Sequence, residues 1–140
     1  MMLRIVQWSV LGVSDLNMRP VLASEIEAFE ARFDYAINAT LRTINVLDPK
    51  TILIRISVQD KARSFDWIDL ELEISDVSDA RLIEDAKLKY VDMSEGMTML
   101  YENGEIIIAV GEYDYLDAAL NAPLFVRGGA LKYQENTFSA

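Results

Sequence analysis

The 140-residue chain contains no cysteine and no histidine. Without cysteine there is no disulfide framework, no thiolate nucleophile and no cysteine-ligated zinc or iron–sulfur site. That absence is compatible with a reducing compartment. Histidine is the side chain that titrates near neutrality and the commonest metal ligand. Its absence excludes a Ser-His-Asp triad, a facial iron triad and an HExxH zinc site. Acid–base chemistry would fall to carboxylates, lysine or tyrosine with strongly shifted pKa values, and metal chemistry to oxygen-only calcium or magnesium sites. Proline and glycine are sparse, at 3 and 6 residues. They punctuate the chain without marking a linker, so residues 1–140 are expected to form one domain. No run reaches the roughly 18 apolar residues of a membrane-spanning helix.

What is present is a large apolar fraction, 51%, and a formal net charge of −10. A chain of this length buries roughly 68% of its unfolded surface and folds without a disulfide or metal. The charge is lopsided. Residues 60–117 hold 16 acidic and 5 basic side chains, a net of −11, whereas the rest of the chain holds 7 and 8, a net of +1. Such a field repels the phosphates of nucleic acids and anionic membranes. It suits solubility or a cationic protein partner. At the N-terminus, Arg4 precedes the apolar stretch 5–13, which lacks a small-x-small cleavage site. A first strand over residues 3–10 is expected there rather than a signal peptide, and the cytoplasm is the expected compartment.

Periodicity predicts an α+β fold, predominantly antiparallel, with seven or eight strands arranged as a sandwich, a barrel or one curved sheet. One short N-terminal helix should pack on the sheet. Ser24 and Glu27 have the spacing of a capping box, and Ile26, Phe29 and Phe33 continue as an apolar stripe, so the helix is placed at 24–34. From Tyr35 the period becomes two: Tyr35, Ile37, Ala39 and Leu41 share one face. After the turn at Asp48-Pro49-Lys50, Ile52, Ile54, Ile56 and Val58 alternate with Leu53, Arg55, Ser57 and Gln59, completing a hairpin. Residues 59–64 are expected as a polar loop. Ile68, Leu70, Leu72 and Ile74 then alternate with Asp69, Glu71 and Glu73, which predicts one face in the core and one in water. Residues 79–91 fit a helix or short strands, with strands favoured. Asn103-Gly104 joins two strands in the sequence preferred by a two-residue type I′ hairpin, pairing Glu102 with Glu105, Tyr101 with Ile106, Met99 with Ile108 and Met97 with Val110. A helical turn over 114–122 should turn Leu116 and Leu120 inward. A last strand over 124–133 is interrupted at Gly128-Gly129 by a bulge or a close backbone contact. Residues 134–140 are expected to fray.

No motif names a reaction. Gly128-Gly129 belongs to neither GxGxxG nor GxxxxGK[ST], so it is no phosphate cradle. The tyrosines at 90, 101, 113, 115 and 133, with Trp67, are more simply core and cross-strand residues than the lining of a ligand pocket. The methionines at 93, 97 and 99 are core filling. The most regular polar feature is the acidic row Asp66, Asp69, Glu71, Glu73, Asp76 and Asp79. On one strand face its carboxylates stand roughly 7 Å apart, too far to share an ion, and the spacing of a calcium loop is missing. Its plainest meaning is a solvated face. Its functional meaning is a surface that speeds encounter with a basic partner.

Leu70-Glu71-Leu72-Glu73-Ile74-Ser75-Asp76-Val77-Ser78-Asp79-Ala80-Arg81-Leu82, followed by Glu95-Gly96-Met97-Thr98 and a hairpin, resembles the C-terminal layout of small bacterial immunity proteins from polymorphic toxin systems. The resemblance spans roughly residues 65–133, carries a DVxxxRL-like element at Asp76–Leu82, and supplies no catalytic residue. It implies a small acidic protein that binds and blocks a toxin. The expected function is therefore a non-enzymatic binding protein presenting an acidic face to a basic protein partner, with no cofactor, no metal, no nucleic acid and no membrane. A β-rich assembly subunit, in which the chain forms a homo-oligomer, and a small-ligand-binding β-domain are the alternatives.

Overall fold

β-branched residues alternate with polar ones through the middle of the chain, and strands follow from that period. The computed structural model describes residues 18–139; the strand expected over 3–10 lies outside them. Among the described residues there are nine strands: β1 (Arg19–Val21), β2 (Thr40–Asp48), β3 (Thr51–Asp60), β4 (Asp66–Ser75), β5 (Asp79–Arg81), β6 (Met97–Glu102), β7 (Glu105–Val110), β8 (Phe125–Gly128) and β9 (Ala130–Thr137). Helix α1 spans Ile26–Arg32 and the single-turn α2 spans Leu116–Ala119. The strands form two antiparallel sheets, in the orders β1-β9-β4-β3-β2 and β5-β8-β7-β6, and neither closes into a barrel. The fold is α+β and mostly antiparallel.

One core lies between the sheets. Ile54, Ile56, Leu70, Leu72 and Leu131 of the first sheet meet Ile106, Ile108 and Val126 of the second, and Phe29 and Phe33 of α1 close the cluster. The ring of Phe29 packs edge-on against Phe33 at 5.1 Å and against Tyr133 at 4.9 Å between centroids. The second sheet is also covered outside, where Ile107, Ala109 and Phe125 pack on Leu116 and Ala119 of α2. Burial on both faces explains why Ile106-Ile107-Ile108 breaks the alternation seen elsewhere.

The hairpin of β6 and β7 has the register expected from Asn103-Gly104. Glu102 opposes Glu105, Tyr101 opposes Ile106, Met99 opposes Ile108 and Met97 opposes Val110. Both loop residues have positive φ, 52° and 79°. The β2–β3 hairpin also forms, with the Asp48 carboxylate accepting from the Lys50 N–H at 2.8 Å. Leu116 is buried in α2, as its helical spacing predicts.

Five expectations are corrected. Helical hydrogen bonding begins earlier than Ser24: a 3₁₀ turn at Ala23–Glu25 precedes α1, and Glu25 rather than Glu27 reaches back, accepting from the Leu22 N–H at 2.9 Å. The strand expected from Tyr35 starts at Thr40. Before it, Asp34, Tyr35 and Ala36 all have φ near +55°, a left-handed turn that leaves Tyr35 and Ile37 exposed rather than inward. Residues 79–91 divide into the three-residue β5 and a 3₁₀ helix at Asp85–Tyr90 that buries Leu88. Its Asp85 carboxylate accepts from the Ile44 N–H of β2 at 3.0 Å, a contact between segments that local pattern does not report. The single strand expected over 124–133 is two strands in different sheets, and Gly129 lies where the chain crosses between them. A Cβ on Gly128 would lie 2.7 Å from both Ile74 Cγ2 and the Ser75 carbonyl oxygen, so the crossing needs a residue without a side chain. The tail is not frayed through 137, because β9 pairs with β4 as far as Thr137 opposite Ile68.

Candidate binding groove along strand β6

The acidic row singled out from the sequence does not form one solvated face. β4 lies inside its sheet between β3 and β9. Asp69 is only 2% exposed and Glu73 only 8%. Asp69 accepts from Ser57 Oγ at 2.7 Å, from Ser139 Oγ at 2.6 Å and from the Ser139 N–H at 3.2 Å. Burial pushes its carboxyl up, and the Ser139 and Ser57 donors outweigh burial and hold it below its ordinary value. Arg42 completes the cover. It donates to Ser57 Oγ and to the Ser139 carbonyl, each at 2.8 Å, and lies over the Phe138 ring. Glu71 is half-buried opposite Arg55 and Gln134. Asp66, Asp76 and Asp79 are exposed. Asp66 begins β4, and Asp76 and Asp79 lie beyond its other end, on the order of 30 Å away at the rise of a strand.

Acidic side chains converge instead beside β6. A groove follows this strand in two lobes of about 450 and 470 Å³ that share Glu30 and Leu100. Met97 and Leu100 line its floor. Tyr35, Ile37 and Tyr113 supply apolar wall, and the carboxylates of Glu27, Glu30, Glu95, Glu112 and Asp114 surround it. Among the described residues no lysine or arginine lines either lobe. The walls come from separate parts of the chain. Glu27 and Glu30 project from α1, Tyr35 and Ile37 from the left-handed turn, Glu95 from the loop before β6, and Glu112, Tyr113 and Asp114 from the loop after β7.

Each wall is pinned by hydrogen bonds. The left-handed turn closes on itself through the Ala36 N–H to the Phe33 carbonyl and the Ile37 N–H to the Asp34 carbonyl, each 3.0 Å. It is tied to the loop before β6 by the Asn38 N–H donating to the Met93 carbonyl at 2.8 Å. Gly96 lies against the Tyr35 carbonyl oxygen, with no room for a Cβ. On the opposite wall, Thr98 Oγ1 donates to the Gly111 carbonyl at 2.7 Å and accepts from the Tyr113 N–H at 3.0 Å, which orients the loop carrying Glu112 and Asp114. Glu30 accepts from the Met99 N–H at 2.9 Å. Burial drives its carboxyl up and Glu27 adds to this, while the Met99 N–H opposes both, and the net displacement is upward.

Of these residues the sequence singles out Tyr101, Tyr113, Met97 and Met99 as core or cross-strand residues, Tyr35 and Ile37 as one face of a strand and Glu27 as half of a capping box, and none of them as a groove. A local signal does exist: Glu112-Tyr113-Asp114-Tyr115 alternates carboxylates with aromatic rings directly after a strand. Among the described residues no group of three or more carboxylates is placed to hold a metal ion, and no helix is long and apolar enough to cross a membrane. No protein-family model, curated protein or solved structure matches this chain.

Proposed function

We propose that this is a non-enzymatic binding protein that captures a basic segment of a protein partner in the β6 groove. The observation that carries it is the composition of the groove: five carboxylates around an apolar floor, with no basic side chain among the described residues that line it. Like charges gathered in one cleft repel one another, and a cationic guest relieves that repulsion while burying Tyr35, Ile37 and Tyr113. The resemblance to toxin-immunity proteins supports a toxin as the partner. An acidic surface matches that role, since it accelerates encounter with a basic target.

Titration with short lysine-containing peptides, followed by fluorescence polarisation, tests this. Affinity is expected to fall by roughly tenfold or more between about 50 and about 300 mM salt. The triple variant Glu95→Lys, Glu112→Lys, Asp114→Lys is expected to abolish binding. The triple variant Asp66→Lys, Asp76→Lys, Asp79→Lys, which reverses the exposed part of the β4 row, should leave it within about twofold, because none of the three lines the groove and exposed charges away from it are screened by salt. If the second variant loses binding and the first retains it, the groove is not the site.

A further inference from the structure

Among the described residues β6 ends its sheet, with β7 on one side and no strand on the other. The outward groups of such an edge are a template for another chain. Main-chain groups alternate along a strand, and the Met99 N–H fixes the phase here: it donates to Glu30, on the side away from β7. Met97 and Tyr101, two residues either way, therefore also turn their N–H and C=O groups outward. Among the described residues no hydrogen bond engages the outward main-chain groups of Met97 or Tyr101. Among the described residues the edge is blocked at one point, by the Glu30 side chain. The groove runs along this same edge, from Tyr101 at one end to Met97 at the other.

We infer that the partner segment binds as an added β-strand on β6, with the Glu30 carboxylate holding at Met99 the place that a backbone carbonyl of the incoming strand takes. This deepens the binding function proposed above and rests on it. The occupant is an extended stretch of a partner protein with lysine or arginine at alternating positions. Main-chain pairing gives such a segment affinity, and the carboxylates on both walls, Glu27 and Glu30 on α1 and Glu112 and Asp114 after β7, select its charge. A second copy of this chain fits poorly. Two such grooves edge to edge bring together two sets of five carboxylates on chains that each carry a net charge of −10.

The probe is a peptide of alternating lysine and valine, compared with the same peptide methylated at every main-chain nitrogen. Charge is unchanged, but the second cannot donate to an edge. The unmodified peptide is expected to bind at least roughly tenfold more tightly and to slow hydrogen exchange at the Met97, Met99 and Tyr101 amides. In Glu30→Ala the affinity ratio of the two peptides should widen, because only the unmodified one, with no methyl groups along its edge, can lie close enough for a carbonyl to accept from the freed Met99 N–H. Equal, salt-sensitive binding of both peptides overturns strand addition and leaves the charged groove standing. A ratio that Glu30→Ala does not change overturns the placeholder role of Glu30. No binding of either peptide at millimolar concentration overturns both the strand mode and the groove.

Discussion

Gly96→Ala is expected to destabilise the protein by about 2–5 kcal/mol, seen as a lower midpoint of urea unfolding at unchanged slope. Two effects add. Gly96 has φ +72°, in the left-handed region, where an L-residue costs about 1–2 kcal/mol. Its Cβ would also strike the Tyr35 carbonyl oxygen and lie 3.0 Å from the Ile37 nitrogen and 3.1 Å from the Ala36 carbonyl carbon. All three are backbone atoms of a turn that is itself hydrogen-bonded into place, so nothing flexible can yield. Gly104→Ala separates the two effects. Gly104 has a similar φ, +79°, and a Cβ there would meet no atom within 4 Å. It should cost only the conformational part, about 1–2 kcal/mol. Equal losses for the two variants would refute the close packing of the turn on Gly96. The effect should extend to function, because displacing the turn moves Tyr35 and Ile37, which form one wall of the groove.

The same turn shows why part of the structure is illegible in the sequence. Left-handed backbone is ordinarily announced by glycine, yet Asp34, Tyr35 and Ala36 adopt it without one. The glycine that permits the arrangement is Gly96, far along the chain, and no local window connects them. By contrast, the β6–β7 register is legible to the residue. Asn103-Gly104 fixes the turn, the turn fixes the pairing, and the apolar side chains agree. The inward faces of β3 and β4 are legible for the same reason, a strict period of two. Alternation tells which face a residue occupies but not what crosses that face. It sets Asp69 on the face away from Leu70, yet Ser139 and Phe138 from the far end of the chain, with Arg42 from β2, remove it from water. The groove is illegible because its charge comes from separate stretches of chain. The lopsided charge of residues 60–117 announces an excess, and folding decides where it gathers.

Asp60→Ala is expected to cost about 1–3 kcal/mol, the range for losing hydrogen bonds to a charged group, because the arginines left behind are part-exposed and keep Glu135 as a partner. Asp60 ends β3 and is fully buried. Arg32 of α1 grips it with two hydrogen bonds, Nε at 3.0 Å and Nη2 at 2.9 Å, and Arg63 adds Nε at 3.2 Å. Both arginines also reach Glu135 of β9, at 3.0 and 2.7 Å. This network pins the C-terminal end of α1 to both β3 and β9. The exposed pair Lys87–Glu84, at 3.2 Å, gives the contrast, and Lys87→Ala should change stability by about 0.5 kcal/mol or less. Acid should weaken the network in a defined direction. The Arg32 hydrogen bonds hold the Asp60 carboxyl below its ordinary value despite burial. Burial raises Glu135, but Arg32 and Arg63 overcome it and the net displacement is again downward. Carboxyls lowered by folding stabilise above their unfolded values near about pH 4, and that stability disappears as pH falls through the folded values. Glu30 runs the other way: raised by folding, it relieves a penalty as pH falls through its folded value. The lowered carboxylates Asp60, Glu135 and Asp69 outnumber it, so the urea midpoint should fall below about pH 4, and fall less steeply in Asp60→Ala. A midpoint unchanged from about pH 7 to about pH 3 would contradict the network as drawn. Because Arg32 and Glu30 lie on the same short helix, loosening Arg32 also loosens the carboxylate that guards the edge of β6. Asp60→Ala should therefore widen the affinity ratio of the unmodified and N-methylated peptides, as Glu30→Ala does, while touching nothing in the groove.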